Sequence, residues 1–248
     1  MAYRQNLTYL LIICLISAFL LSCDNLSQER TSPIICFTFD DGHLSAYQNG
    51  YPIFLEYGYP ATTFINSGRV GKPGFVTWGN LLEEEADNWE IAGHTVNHAD
   101  LAELDYAEAY AEIIDDFNNF QEKGIKVSSF ALPGGHAQEK DYAILKSVYK
   151  NIRTSIDKEI YAPLNRYDLG YFAYQTGYTA ESVKQRIRRG EIKGEVLIII
   201  GFHRISDDEI YAVDNCSPGA LREILDWISQ HDFTVMRLDK AVEKILKK

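Results

Sequence analysis

The sequence is short of what would make it a stapled miniprotein, a nucleic-acid binder or a membrane-spanning chain. Its 248 residues hold four cysteines, and no two of them stand at a zinc-site spacing. Basic residues are outnumbered, 24 Lys and Arg against 35 Asp and Glu, for a formal charge of -11. A net negative field repels phosphate, so nucleic acid and anionic lipid are poor partners and a neutral or cationic one fits. The one basic block, "KQRIRR" at 184–189, has the spacing of a helix's solvated face. With 17 Gly and 7 Pro there is no long low-complexity tract, and no repeat of fixed period. What is present suits a globular body: 46% hydrophobic and 24% charged residues, on a length that buries a substantial core as one domain.

The N-terminus reads as a targeting segment. Arg4 precedes an apolar run, Leu10 to Leu21, that is too short to favour a spanning helix and has the length of a signal-peptide core. It ends in "LLSC", which resembles a bacterial lipobox cut before Cys23, with lipid on that cysteine. The alternative is an uncleaved anchor. On either reading the folded part lies in the cell envelope, outside the cytoplasm, and touches the membrane only through its tether. Residues 1–22 are then signal peptide, 23–32 a polar linker and 33–248 the folded domain. Removing the signal takes one Arg and no acidic residue, so the charge becomes 23 minus 35, or -12. Of the cysteines, Cys36 and Cys216 remain in the body, read as two buried thiols in preference to a disulfide.

From Pro33 onward, strand-like apolar runs alternate with amphipathic helical patterns, which predicts an α/β fold with a mostly parallel sheet. Strands are expected at 33–39, 61–66, "WEIAGH" (89–94), 128–132, 151–155, 195–202 and 233–238. Helices are expected at 45–57, from Thr77 to Asp87, after the capping box of Asp105 and Glu108, at 139–149, at 180–189 and after Ser217-Pro218. In the helix after Asp105, the residues Tyr106, Tyr110, Ile113, Phe117 and Phe120 are expected on one buried face.

The chemistry concentrates in few places. "FTFDDGHLSAY" (37–47) sets Asp40 and Asp41 side by side at the end of an apolar run. Neighbours in a regular strand point to opposite faces, so the two can share a site only where the chain turns, and Gly42 permits the turn. An ordinary polar turn is the plain alternative. "HTVNH" supplies His94 and His98 at a spacing that lets both imidazoles hold one metal ion, given a third ligand such as an aspartate from a neighbouring strand end. Asp40, Asp41, His94, His98, the "LPGG" segment (132–135) and His203 each fall at or just after the end of an expected strand. In parallel α/β architectures that rim is where sites gather.

"TFDDG", "HTVNH", a Pro-Gly segment after a strand and a late strand ending in "GFH" together resemble the ordered motifs of the polysaccharide deacetylase family, carbohydrate esterase family four, over about residues 33–242. The resemblance implies a distorted (β/α) barrel of parallel strands surrounded by helices. It implies metal-dependent removal of N- or O-acetyl groups from a carbohydrate, so an acetylated glycan is the expected partner. Carried over by position, Asp41, His94 and His98 bind the metal, Asp40 is the general base, His203 the general acid, and Gly134 beside Pro133 lends a backbone N–H to the oxyanion. A divalent ion in such a site, zinc by the nature of the ligands, acidifies a bound water and polarises the acetyl carbonyl. An amine leaves poorly unless protonated, which gives His203 its task.

The chain also departs from the pattern. Where the family's third motif starts with an arginine that orients the base, this sequence has Ala131, and the expected support for His203 is reduced to Asp157 as a weak candidate. Another cation is therefore expected to reach Asp40, from Arg153 in preference to Arg166 or Arg204, because a neighbouring strand can deliver a side chain to the same rim. His43 and His136 are candidates to face substrate or solvent; Trp78 and Trp89 read as core in preference to a sugar platform, and Trp227 and His231 as structural. The rival readings are a catalytically weak carbohydrate-binding lipoprotein that keeps the fold, and a purely structural envelope protein.

Overall fold

The computed structural model describes residues 32–208 and 214–247. The signal peptide, the lipobox Cys23 and nearly all of the linker lie outside the described residues. Ten strands occur among the described residues: β1 (Ile34–Phe39), β2 (Thr62–Ile65), β3 (Glu90–Gly93), β4 (Ser129–Ala131), β5 (Asn151–Arg153), β6 (Phe172–Ala173), β7 (Leu197–Phe202), β8 (Arg204–Ile205), β9 (Asn215–Cys216) and β10 (Thr234–Val235). All but β8 and β9 form one sheet in the order β5-β4-β3-β2-β1-β7-β6, with β10 beside the start of β1. Every pairing in it is parallel. The helices between them are α1 (Tyr51–Tyr57, preceded by a π-helical turn at Ala46–Gly50), α2 (Trp78–Ala86), α3 (Tyr106–Glu122), α4 (Glu139–Val148), α5 (Ala180–Lys193), α6 (Pro218–Ser229) and α7 (Leu238–Leu246).

The sheet curls into a distorted barrel whose gap is bridged by one stretch of chain. Ile152 N donates to Arg166 O and Thr154 N to Leu169 O, both at 2.8 Å, so residues 166–169 lie along β5. A few residues later β6 pairs with β7 at the other end of the sheet.

Strand periodicity sorts the side chains into two layers. In β1, Ile35, Phe37 and Phe39 pack outward with Ile198, Ile200 and Phe202 of β7 against Val183 and Ile187 of α5 and Leu221, Ile224, Leu225 and Ile228 of α6. Ile34 and Cys36 point inward with Phe64, Ala92, Ala131, Leu197 and Ile199, and Leu238, Ala241 and Val242 of α7 belong to the same inner cluster. Continuing the inward parity past the strand ends reaches Asp40, His94 and His203, and it places Arg153 inward because Ile152 packs outward with the α2–α4 cluster. The rim chemistry is thus set by the same alternation that builds the core.

Several expectations are corrected. On α3 the buried residues are Ala109, Ile113, Asp116 and Phe120, while Tyr106 and Tyr110 are 58% and 47% exposed. The stripe passes through a small and an acidic residue, and a reading that followed the aromatic rings rotates the helix too far. The basic block of α5 is not wholly solvated: Arg186 is buried, pairing with Glu195 at 2.7 Å and Asp157 at 3.1 Å. The last strand is only Thr234–Val235, because Arg237 is the N-cap of α7. The capping boxes at Thr77 and Asp105 form, and Cys36 and Cys216 are buried free thiols.

Candidate active site

One backbone turn separates the fates of the paired aspartates. Asp40 N still donates to Phe202 O at 2.9 Å, so Asp40 continues the ladder and faces inward. Asp41 then adopts φ 72°, left-handed and unfavourable for a side-chain-bearing residue, and Gly42 repeats it. The turn swings the Asp41 carboxylate sideways. Its Oδ1 lies 3.5 Å from His94 Nε2 and 3.2 Å from His98 Nε2, and its Oδ2 lies 3.3 Å from His43 Nε2.

The His94–His98 segment is a strained turn after β3, with Thr95 and His98 at φ 62° and 63°. It is tied down from several sides. Asn66 Nδ2 donates to the His94 carbonyl, Asp116 Oδ2 accepts from His94 N at 3.2 Å, and Glu112 accepts from Asn97 N and Nδ2 at 2.9 and 2.7 Å. Gly93 is required before it, since a Cβ there would collide with the Tyr149 hydroxyl and the Asp116 carboxylate. His94 Nδ1 sits 2.7 Å from the Ala131 carbonyl, which can only accept, so a proton is on Nδ1 and Nε2 is turned toward Asp41.

The donor set fits a divalent metal. Ligand-capable atoms of Asp41, His94 and His98 all lie within 4.8 Å of one another. Burial pushes the Asp41 carboxyl up, but hydrogen bonding from His43 and His94 and the charges of His94 and His98 outweigh it and hold it far below the usual carboxylate range. Burial, then the charge of His94, pushes the His98 imidazole down, keeping it in the neutral form that ligates.

Beside this set, Arg153 Nη2 donates to Asp40 Oδ2 at 2.5 Å, both side chains being almost fully buried. β5, the strand next to that of Ala131, does deliver a cation to Asp40. Arg166 does not reach it and instead donates to Asn151 Oδ1 at 3.0 Å. His203 Nε2 is 4.0 Å from Asp40 Oδ2. It follows β7, the strand directly paired with β1. Asp157 does not support it, being engaged with Arg186 and Arg189, and His203 Nδ1 is buried without a partner among the described residues.

Pro133, Gly134 and Gly135 form a short turn after β4, with Gly134 at φ 64° and its carbonyl accepting from Ser155 Oγ at 2.9 Å. His136 is exposed, 3.8 Å from Asp100. Trp89 is core, stacked on Phe39 with centroids 5.4 Å apart, and Trp78 packs on Phe120. Two contributors escaped the sequence reading and a third was only partly read. Asn66 and Asp116 look like surface polar residues there, and only the position of Asp116 within a helix's apolar stripe could have betrayed it. His43 was open between substrate and solvent; it is buried, stacked on Phe75 and touching Asp41.

Comparison with known proteins places this site in context. A Staphylococcus aureus poly-β-1,6-N-acetyl-D-glucosamine N-deacetylase is 26% identical over 144 residues, 52% of this chain and 50% of the relative. The chain thus spans about half the length of the curated relatives it matches. The fold is shared with a family 4 acetyl xylan esterase from Clostridium thermocellum solved with a cobalt ion (15% identity, TM-score 0.61, covering 85% of this chain and 91% of that one). It is shared too with a pseudoenzyme of carbohydrate esterase family four from Bacillus anthracis (13% identity, TM-score 0.60, covering 86% and 66%). The model for polysaccharide deacetylases matches residues 27–150, half of the chain and the part that carries both the Asp-Asp and His-x3-His segments, and the chain belongs to that family.

Proposed function

We propose that this chain is a metal-dependent hydrolase that removes acetyl groups from a glycan. The observation that carries the reading is the convergence of Asp41, His94 and His98 into one donor set beside a separately held carboxylate, Asp40, and a second imidazole, His203. Asp41, His94 and His98 would hold the ion, zinc by preference for two imidazoles and one carboxylate. Such an ion, when bound, acidifies water and polarises the acetyl carbonyl.

The remaining work belongs to the chain. Asp40, inward-facing and with Oδ1 unpartnered among the described residues, accepts the proton of the attacking water. The backbone N–H of Gly134 stabilises the oxyanion that develops on the carbonyl oxygen. His203 gives a proton to the departing amine or alcohol as the carbon–heteroatom bond breaks. The substrate is an N- or O-acetylated polysaccharide or oligosaccharide. The S. aureus relative's name and that of the xylan esterase make poly-N-acetylglucosamine and acetylated xylan the first glycans to try.

The test is acetate release from a panel of N- and O-acetylated glycans after metal reconstitution. Release from at least one glycan, lost on chelation, is expected; no release from any would favour the second reading, a glycan-binding protein that keeps the fold. Ala131, and a His203 Nδ1 that has no partner among the described residues, motivate that second reading. We further propose export and lipidation at Cys23, on the short apolar core ending in "LLSC". A Cys23→Ala protein that still carried lipid and partitioned with membranes would rule this out.

A further inference from the structure

We propose that Arg153 is the positioning residue that keeps Asp40 a base and off the metal's ligand set, and that Ala131 is small so that the Arg153 guanidinium can reach Asp40. The inference rests on the hydrolase reading above. Ala131 and Arg153 are directly opposite each other in the β4–β5 ladder, and both are buried on the barrel's inner side. The guanidinium lies between two aromatic faces, 3.9 Å from the ring centre of Tyr171 and 4.8 Å from that of Phe64. Its Nη1 donates to Thr154 O at 3.4 Å and its Nη2 to Asp40 Oδ2. A planar cation stacked on both sides has little freedom, so the carboxylate it holds has little either.

The hold is one-sided. Oδ2 of Asp40 is taken by Arg153, whereas Oδ1 is buried with no hydrogen-bond partner among the described residues. A base needs one oxygen fixed and one open, and this is that arrangement. The hazard that Arg153 removes comes from the sequence itself. Asp40 is bonded to Asp41, so a second carboxylate sits one residue from the donor set, and a released Asp40 could join it and no longer accept a proton. Arg153 fixes Asp40 by an opposite charge in an interior where that charge is weakly screened. The inner side of β4 bears only the methyl of Ala131 beside this pair, and a long side chain there would compete with the guanidinium for the space between Phe64 and Tyr171.

The experiment uses the folded chain loaded with cobalt(II), whose visible spectrum reports ligand number, together with acetate-release kinetics. Arg153→Gln is expected to alter the cobalt spectrum, and adding Asp40→Asn to it should restore the spectrum of the parent. In the same variant kcat should fall about 100-fold with KM changed no more than about threefold. Moving the cation back one strand, in Ala131→Arg/Arg153→Ala, should return the parent spectrum and recover at least about tenfold of the kcat lost by Arg153→Ala. An unchanged spectrum with kcat within about threefold of the parent in Arg153→Gln would overturn the inference. So would a relocated arginine that rescues folding and neither readout, because Arg153 would then be structural only. If Arg153→Gln and Arg153→Ala do not fold, Arg153→Lys, which keeps the charge without the fork, must show an intermediate spectrum and rate; parent-like values in both overturn the idea. Should the parent release acetate from no glycan, the hydrolase reading fails, while the cobalt spectra still decide what Arg153 does to Asp40.

Discussion

Asp40 and Asp41 are chemically identical and adjacent, yet one backbone angle gives them different surroundings. Asp41, at φ 72°, meets three imidazoles, while Asp40 meets a guanidinium and one distant imidazole. Their roles should therefore separate under mutation. Asp41→Ala, His94→Ala and His98→Ala are each expected to abolish stoichiometric metal binding. Asp40→Asn should keep the metal and lose kcat by about 10²–10⁴-fold. Metal content by elemental analysis, set beside acetate release, checks this; an Asp40→Asn protein with near-normal turnover would remove Asp40 from the role of base. His203 has a narrower task, which the leaving group exposes. His203→Ala should slow release of an amine from N-acetyl sugars much more than hydrolysis of an activated aryl acetate, whose leaving group needs little protonation. Equal losses on both substrates would count against His203 as the acid.

At the scale of elements, α3 does two jobs that the sequence shows unequally. Its start was legible, because the Asp105–Glu108 box is a local hydrogen-bond pattern. Its facing was not, since Tyr106 and Tyr110 look more like core than Ala109 and Asp116 do. Ile113→Ala is accordingly expected to cost about 2–5 kcal/mol, and Tyr110→Ala no more than about 0.5 kcal/mol, by denaturant titration. The buried Asp116 carries the site. It accepts from Ser67 N at 3.1 Å, from His94 N and from the Tyr149 hydroxyl, so it pins the backbone of a metal ligand from behind. Asp116→Ala should weaken metal affinity about 10–100-fold, measured by competition with a chelating dye. Unchanged affinity in a folded variant would show that the turn holds itself.

The same division explains what else could be read. The strands ending in Asp40, His94 and His203 were legible because long apolar runs and turn residues are local signals. So was the delivery of Arg153, since a strand neighbour and an inward parity are enough to predict it. The two-residue strands β6, β8 and β9 and the helix α7 were missed, being fixed by tertiary pairing and by the inner cluster more than by their own composition. Asp157 was misassigned because sequence order says nothing of Arg186, 29 positions away, which captures it.

Across the whole molecule, buried carboxyls set how stability depends on pH. Burial pushes Glu84 up to about 8, burial and the neighbouring Asp239 push Glu90 to about 7, and burial pushes Asp116 to about 7. Each binds its proton more tightly folded than unfolded, where a carboxyl titrates near 4, so each destabilises the fold increasingly as pH rises from about 4.5 toward 8. Asp41 acts the other way. Its folded value is depressed, so its contribution is present above the unfolded value and is lost as pH falls below about 4. The metal-free domain should then be most stable between about pH 4 and 5 and lose several kcal/mol by pH 8. Glu84 is the cleanest probe, because it lies on α2, away from the donor set, with Oε2 unpartnered among the described residues. Glu84→Gln keeps the shape and removes the proton. Melting of the chelator-treated protein should show parent and variant within about 1 kcal/mol at pH 5 and the variant ahead by about 2–4 kcal/mol at pH 8.5. Parallel stability curves across that range would mean that Glu84 is solvated when charged and that the decline with pH has another source.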